Sequence, residues 1–159
     1  MDPPENNTSR SDLNPVETIS RQEGRYLLAI FWLSITKSDR IQTGQLSEYL
    51  DVKPATVTEM MTKLAEQSTV DYEKQFGVTL TNHGEAIASN LAWRHCVVMN
   101  YFNTVLDTQL PDTMAYQIGY ILSAEGIDQL HATLDHPCQE FCQHSEQKYE
   151  GCLIAEQAP

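Results

Sequence analysis

The chain has 159 residues, with ten Lys and Arg against 22 Asp and Glu, a formal net charge of −12 and a pI near 4.6. Hydrophobic residues make up 41% and charged residues 20%, enough apolar material for one packed domain or a small domain with an accessory arm, and too much for a chain disordered throughout. The acidic balance excludes a histone-like nucleic-acid coat. It leaves room for a DNA reader with a small positive face, because a field depends on where charges sit as well as on their sum.

No segment approaches the roughly 18 consecutive apolar residues of a membrane span. The longest, Tyr26 to Leu33, is about two helical turns and closes at Ser34. The opening Met1-Asp2-Pro3-Pro4-Glu5 lacks the basic-then-apolar order of a signal peptide. A cytoplasmic location is therefore expected, with Cys96, Cys138, Cys142 and Cys152 read first as thiols or metal ligands.

In chain order, residues 1–13 are polar and read as a disordered arm. Asn14-Pro15 is a helix start, and the apolar spacing of Tyr26, Leu27, Ile30, Phe31 and Leu33 predicts one helix from Pro15 to Ile35. Thr43 is expected to cap a short amphipathic helix carrying Leu46, Tyr49 and Leu50. After the tight connector Asp51-Val52-Lys53, Pro54 opens a second helix with Val57, Met60, Met61 and Leu64 on one face. Val70–Glu73 and Val78–Thr81 alternate with period two around Lys74-Gln75-Phe76-Gly77, a β-hairpin. Helix, helix-turn-helix and hairpin together make a winged helix-turn-helix over residues 14–81. A helix from Asn82 to Leu106, another over Asp112–Ile121 and a third from Ala124 to Leu134 follow. The fold class is thus mostly α with a small hairpin wing, ending in a cysteine-rich tail over residues 136–159.

Specific residues carry a resemblance. Leu46-Ser47-Glu48-Tyr49-Leu50-Asp51-Val52 leads into Pro54-Ala55-Thr56-Val57-Thr58-Glu59-Met60-Met61-Thr62-Lys63-Leu64, then Tyr72–Thr81 and Gly84, with Trp93-Arg94-His95 and Leu122-Ser123 further on. Over residues 21–135 the chain resembles the diphtheria-toxin-repressor family of metal-responsive transcription regulators, on its manganese-regulator side. The resemblance implies a homodimer on double-stranded DNA, with residues 82–135 as a helical dimerisation domain. It places the helix from Pro54 in the major groove and the wing at Lys74-Gln75 on the backbone. The residue chemistry agrees: Thr43, Thr56, Thr58 and Thr62 offer hydroxyls, Lys53, Lys63 and Lys74 offer charge, and Ala55 beside Pro54 offers a methyl for thymine. Glu59 either accepts from cytosine N4 or pairs with Lys63 at i+4, the latter favoured slightly. Against this, residues 43–81 hold three bases and six acids, a net of −3. The other class of reading is therefore a winged-helix protein-interaction module. No Ser/His/Asp, paired-carboxylate or phosphate-loop constellation points to an enzyme.

In the family, metal is held by an acid or Met early in the first helix, an acid one turn later, the His of the Arg-His motif, and a Glu-x-x-Glu-His run before Leu-Ser. The matching positions here are Arg25, Leu28, His95, Tyr116, Gly119 and Tyr120, with only the His retained. Arg cannot become a ligand, Leu and Gly have no donor atoms, and neutral Tyr is a poor ligand for Mn²⁺ or Fe²⁺, so the usual hard-metal site is expected to be absent. Cys138, Cys142, His144 and Cys152 could instead hold zinc or an Fe–S cluster, act as redox thiols, or form a packed tail. Cys96 beside His95 is a further thiol candidate. Trp32 and Trp93 read as core or dimer anchors, and His83 and His131 as solvated.

Overall fold

The computed structural model describes residues 14–36 and 39–135, with the isolated positions 138 and 142. The arm over 1–13 and the expected ligands His144 and Cys152 lie outside the described residues.

Helix α1 (Pro15–Thr18) starts as the sequence predicts, with the Asn14 side chain accepting from the Val16 N–H at 3.3 Å and Pro15 in the first turn. The single helix expected to Ile35 is corrected: Ile19 is extended and α2 (Arg21–Thr36) begins anew. The cause is a capping box. Ser20 Oγ accepts from the Glu23 N–H at 3.1 Å, and the Glu23 carboxylate accepts from the Ser20 N–H at 3.2 Å. Beyond it, Tyr26 to Leu33 are all buried, so α2 is enclosed on every side, as its unbroken apolar run requires.

Helix α3 (Thr43–Leu50) is capped by Gln42, whose N–H donates to Gln45 Oε1 at 2.8 Å; Thr43, expected as the cap, is the first helical residue. Asp51 in the left-handed region ends α3, and Ser47 Oγ donates to the Val52 carbonyl at 2.6 Å, fixing the turn into α4 (Pro54–Glu66). Strands β1 (Val70–Glu73) and β2 (Gly77–Leu80) pair antiparallel, Val70 opposite Leu80 and Glu73 opposite Gly77. Ile41, just before α3, bridges to Val78. The Arg40 guanidinium donates to the Asp71 and Gly77 carbonyls at 2.9 and 3.1 Å. The wing is therefore tied to the start of the helix-turn-helix.

Helix α5 (Asn82–Asn100) is capped by Thr81 and gives way to a π-helical turn over Tyr101–Val105, which corrects the uninterrupted helix expected to Leu106. Helix α6 (Asp112–Ile121) has the predicted limits, and α7 (Ala124–Ala132), capped by Ser123, ends two residues before Leu134. Two apolar clusters form. The first joins α2, α3, α4, the hairpin and part of α5; the second joins the end of α5 to α6, α7 and Cys138. Helix α5 thus belongs to both the winged-helix and the C-terminal packing units. No described helix is long and apolar enough to cross a membrane.

Candidate nucleic-acid interface and the cavity behind it

Helix α4 is amphipathic in a functional sense. Val57, Met61 and Leu64 are buried inward, while Pro54, Ala55, Thr56, Glu59 and Thr62 are exposed on the outer side. No side chain caps its N-terminus, so that end keeps the partial positive character that favours a phosphate. Lys53 sits exposed just before it, and Lys74 and Gln75 are exposed at the wing tip beside Phe76. Thr43 is half-buried at the start of α3. The hydroxyls of Thr58 and Thr62 donate to the Pro54 and Thr58 carbonyls at 3.1 and 3.0 Å, leaving them as acceptors. Thr56 has no such internal bond to its hydroxyl among the described residues, and its side chain projects into solvent.

The Glu59–Lys63 pair favoured from spacing does not form. Lys63 Nζ lies 2.8 Å from Glu23 Oε1 on α2, and Gln67 adds a 3.4 Å bond to the same oxygen. Burial works against the Glu23 charge, but the bonds from Lys63, the Ser20 N–H and Gln67 outweigh it and hold the carboxyl below its usual value of 4.5. A carboxyl depressed in the folded state stabilises above its unfolded pKa, and that contribution is lost as pH falls through the folded one. Urea-unfolding free energy of the wild type is therefore expected to fall as the pH drops below about 4.5. Glu23→Gln should lower stability at neutral pH and flatten this acid limb. Equal acid slopes for both proteins would remove Glu23 as the cause.

Beside α3 lies a cavity of about 380 Å³ lined by Arg21, Arg25, Leu28, Trp32, Tyr49, His95, Asp112 and Tyr116, among others. It gathers four of the six positions matched to the family's metal ligands: Arg25, Leu28, His95 and Tyr116. Tyr116 Oη donates to the Arg21 carbonyl at 2.7 Å and Tyr120 Oη to the Ile19 carbonyl at 2.8 Å. Both hydroxyls thus clasp α6 to the break between α1 and α2. Burial pushes the Tyr116 hydroxyl pKa well up, with Tyr120 adding to it, so it is a neutral donor. Gly119 lies so close to α5 that a Cβ would stand 3.1 Å from the Arg94 backbone. His95 Nε2 is 2.9 Å from Asp112 Oδ1. The bond from His95 leads in depressing the Asp112 pKa, partly offset by burial and aided by the charges of His95 and Arg25. Asp112, Arg21 and Trp32 are cavity residues that sequence reasoning missed as such. Only Asp112, an acid opening α6, carried a local signal.

Cys138 and Cys142 lie along α5. The Cys138 carbonyl accepts from Trp93 Nε1 at 3.1 Å and stands 3.0 Å from His131 Nε2; the Cys142 N–H donates to the Ser89 carbonyl at 3.0 Å. Cys138 is buried in the second cluster and Cys142 in the first, which also holds Cys96. His131, read as solvated, is half-buried and its ring packs tilted on Trp93 at 5.5 Å. Trp32 and Trp93 are both buried, and His83 is exposed as expected. Among the described residues no three His, Cys, Asp or Glu side chains converge as a metal site would require.

These elements define a winged-helix fold with an appended helical unit. Residues 18–78 match the family model described as "Iron dependent repressor, N-terminal DNA binding domain". The chain is 31% identical over 78 residues to the HTH-type transcriptional regulator MntR of Oceanobacillus iheyensis, covering 49% of this chain and 53% of the relative. Among solved structures it is similar to the manganese regulator SloR, at 26% identity and a TM-score of 0.63 over 72% of this chain and 54% of that one. It is also similar to a manganese-dependent transcriptional repressor in complex with manganese, at 26% identity and a TM-score of 0.64 over 70% and 51%. The chain thus spans about half the length of the relatives it matches. These relatives are named as regulators, two of them of transcription.

Proposed function

We propose that the chain is a homodimeric, sequence-specific DNA-binding transcription regulator whose signal is not a hard divalent cation bound at His95. The observation that carries the DNA reading is α4 itself. Its inner face is locked by Val57, Met61 and Leu64, and its outer face presents Ala55, Thr56, Glu59 and Thr62 with an uncapped N-terminus and the Lys74-Gln75 wing. Exposed Val105, Leu106, Met114 and Ile121 on the C-terminal helical unit support its role as the dimer surface, which light scattering at varied concentration tests.

The chemistry of the residues around His95 speaks against the hard-metal reading. Of the residues around His95, Arg25 and Leu28 cannot ligate. Tyr116 and Tyr120 spend their protons on backbone carbonyls, and Gly119 has no donor. His95 and Asp112 alone do not satisfy the near-octahedral oxygen-rich shell of Mn²⁺. The soft-metal, Fe–S or redox reading of Cys138, Cys142, His144 and Cys152 finds little support either. Cys138 and Cys142 sit in different apolar clusters, and buried thiols in such surroundings are inert.

The DNA reading is tested by anisotropy with a duplex from the chain's own promoter and a scrambled control. Thr56→Ala is expected to weaken specific binding by about 1–3 kcal/mol while leaving the control unchanged, as for a residue that reads bases. Lys74→Ala should weaken both duplexes alike and reduce the salt slope by about one. Absence of salt-sensitive binding to either duplex would leave the protein-interaction module as the better reading.

A further inference from the structure

The cavity that occupies the place of the family's metal centre has the opposite charge preference. We infer that it binds a small organic anion, a carboxylate- or phosphate-headed molecule with a flat apolar body. Arg21 and Arg25 line it, and neither has an ion-pair partner among the described residues. On a chain of net charge −12, two guanidinium groups beside one cavity whose described lining holds a single carboxylate, Asp112, run against the overall excess of acid. Arg is the side chain whose planar fork of donors suits carboxylate and phosphate.

His95 supplies the independent sign of a ligand. It lines the cavity at 5% exposure, and its Nδ1 has no hydrogen-bond partner among the described residues. A buried polar nitrogen left without a partner is costly unless something satisfies it. The one carboxylate among the described lining residues, Asp112, already contacts the other ring nitrogen. The remaining walls include Leu28, Trp32 and Tyr116, flat and apolar. The volume of about 380 Å³ falls at the lower end of the range of small-molecule pockets. The guanidinium groups suit the head group and the aromatic side chains the body.

The cavity is built from α2, α3, α5 and α6, so it touches both the helix-turn-helix, through Tyr49 and Leu50, and the C-terminal unit, through His95 and Asp112. Occupancy therefore biases how α3 sits relative to α5 and α6. That coupling rests on the regulator reading above; the binding site itself does not.

The test is calorimetry without DNA, using 2-naphthoate, phenyl phosphate, the neutral isostere 2-naphthamide and Mn²⁺ as probes. Saturable 1:1 binding of at least one anion is expected, with the amide weaker than the naphthoate by about tenfold or more where the carboxylate is the favoured head group. The relative affinities of naphthoate and phenyl phosphate identify that group. Arg25→Gln, which keeps the side-chain stem, should weaken the anion about tenfold or more with an unchanged circular dichroism spectrum. Trp32→Phe should abolish quenching of tryptophan fluorescence by the bound aromatic while leaving the heat of binding. No saturable binding of either anion, an unaltered affinity in Arg25→Gln, or stoichiometric His95-dependent binding of Mn²⁺ would overturn the inference. Such a failure leaves the DNA measurements untouched, and failure of DNA binding leaves the cavity test valid.

Discussion

Gly84→Ala is expected to destabilise the protein by about 3 kcal/mol or more, at the upper end of overpacking costs. A Cβ on Gly84 would stand 1.8 Å from the Thr69 carbonyl oxygen and 2.8 Å from its carbon. These are backbone atoms and cannot rotate away. The same carbonyl accepts from the Thr81 N–H at 3.1 Å, Thr81 Oγ1 donates to the Ser68 carbonyl at 2.7 Å, and Thr69 Oγ1 donates to the Leu64 carbonyl at 3.0 Å. The end of α4, the start of the wing and the cap of α5 therefore meet at one joint, and an added methyl has to pry it open. Gly44→Ala is the control of the same chemistry. Gly44 lies in the first turn of α3, and nothing among the described residues comes within 4 Å of where a Cβ would stand. Alanine there should be neutral or stabilise by up to about 1 kcal/mol through the unfolded chain. Urea unfolding of the two variants reads both signs at once. Similar small effects at both glycines would mean that the joint relaxes freely.

The sequence carried much of this fold because its signals are local. Pro54 opening α4, the Val57/Met61/Leu64 stripe, the hairpin around Gly77 and the limits of α6 all follow from periodicity and turn chemistry within a few residues. Even the break between α1 and α2 had a local mark, Ser20-Arg21-Gln22-Glu23, hidden inside a strong apolar rhythm that argued for one helix. What stayed illegible was partnership at a distance. Lys63 had a plausible neighbour in Glu59, and nothing within a turn of α4 could show that Glu23, 40 positions earlier, holds it instead. Tyr116 and Tyr120 read as lost ligands, yet they donate to carbonyls 95 and 101 positions away. The reading of Arg25 and Tyr116 at positions matched to the family's metal ligands came from one dimension. That Arg25, Tyr116 and a buried imidazole nitrogen of His95 line one cavity was visible only in three.

Arg94→Ala is expected to cost about 3–5 kcal/mol, the range for removing one partner of a buried charged network. Arg94 is 1% exposed, the most voluminous side chain buried to that degree among the described residues. Its Nη1 donates to the Gly119 carbonyl at 3.1 Å and the Leu122 carbonyl at 2.6 Å, and its Nε to Asn90 Oδ1 at 3.1 Å. Both carbonyls belong to the C-terminal end of α6, where the helix leaves acceptors without intrahelical donors and the dipole presents its negative pole. Burial pulls the guanidinium pKa down while Asp128 pulls it up, and a guanidinium starts so high that it stays charged. Truncation to alanine therefore empties a large volume and strands two carbonyls together. Arg94→Met keeps most of the stem without the donors, so the difference between the two variants separates packing from hydrogen bonding. Arg94→Lys has a compact ammonium that cannot reproduce the planar fork, and should recover only part of the loss. Helix α6 also carries Asp112 and Tyr116, so the same variants should weaken anion binding at the cavity even though Arg94 does not line it. Chemical denaturation at neutral pH ranks the three variants. An alanine variant within about 1 kcal/mol of wild type, inside the spread of ordinary substitutions, would show that α6 is held on α5 by its apolar contacts alone.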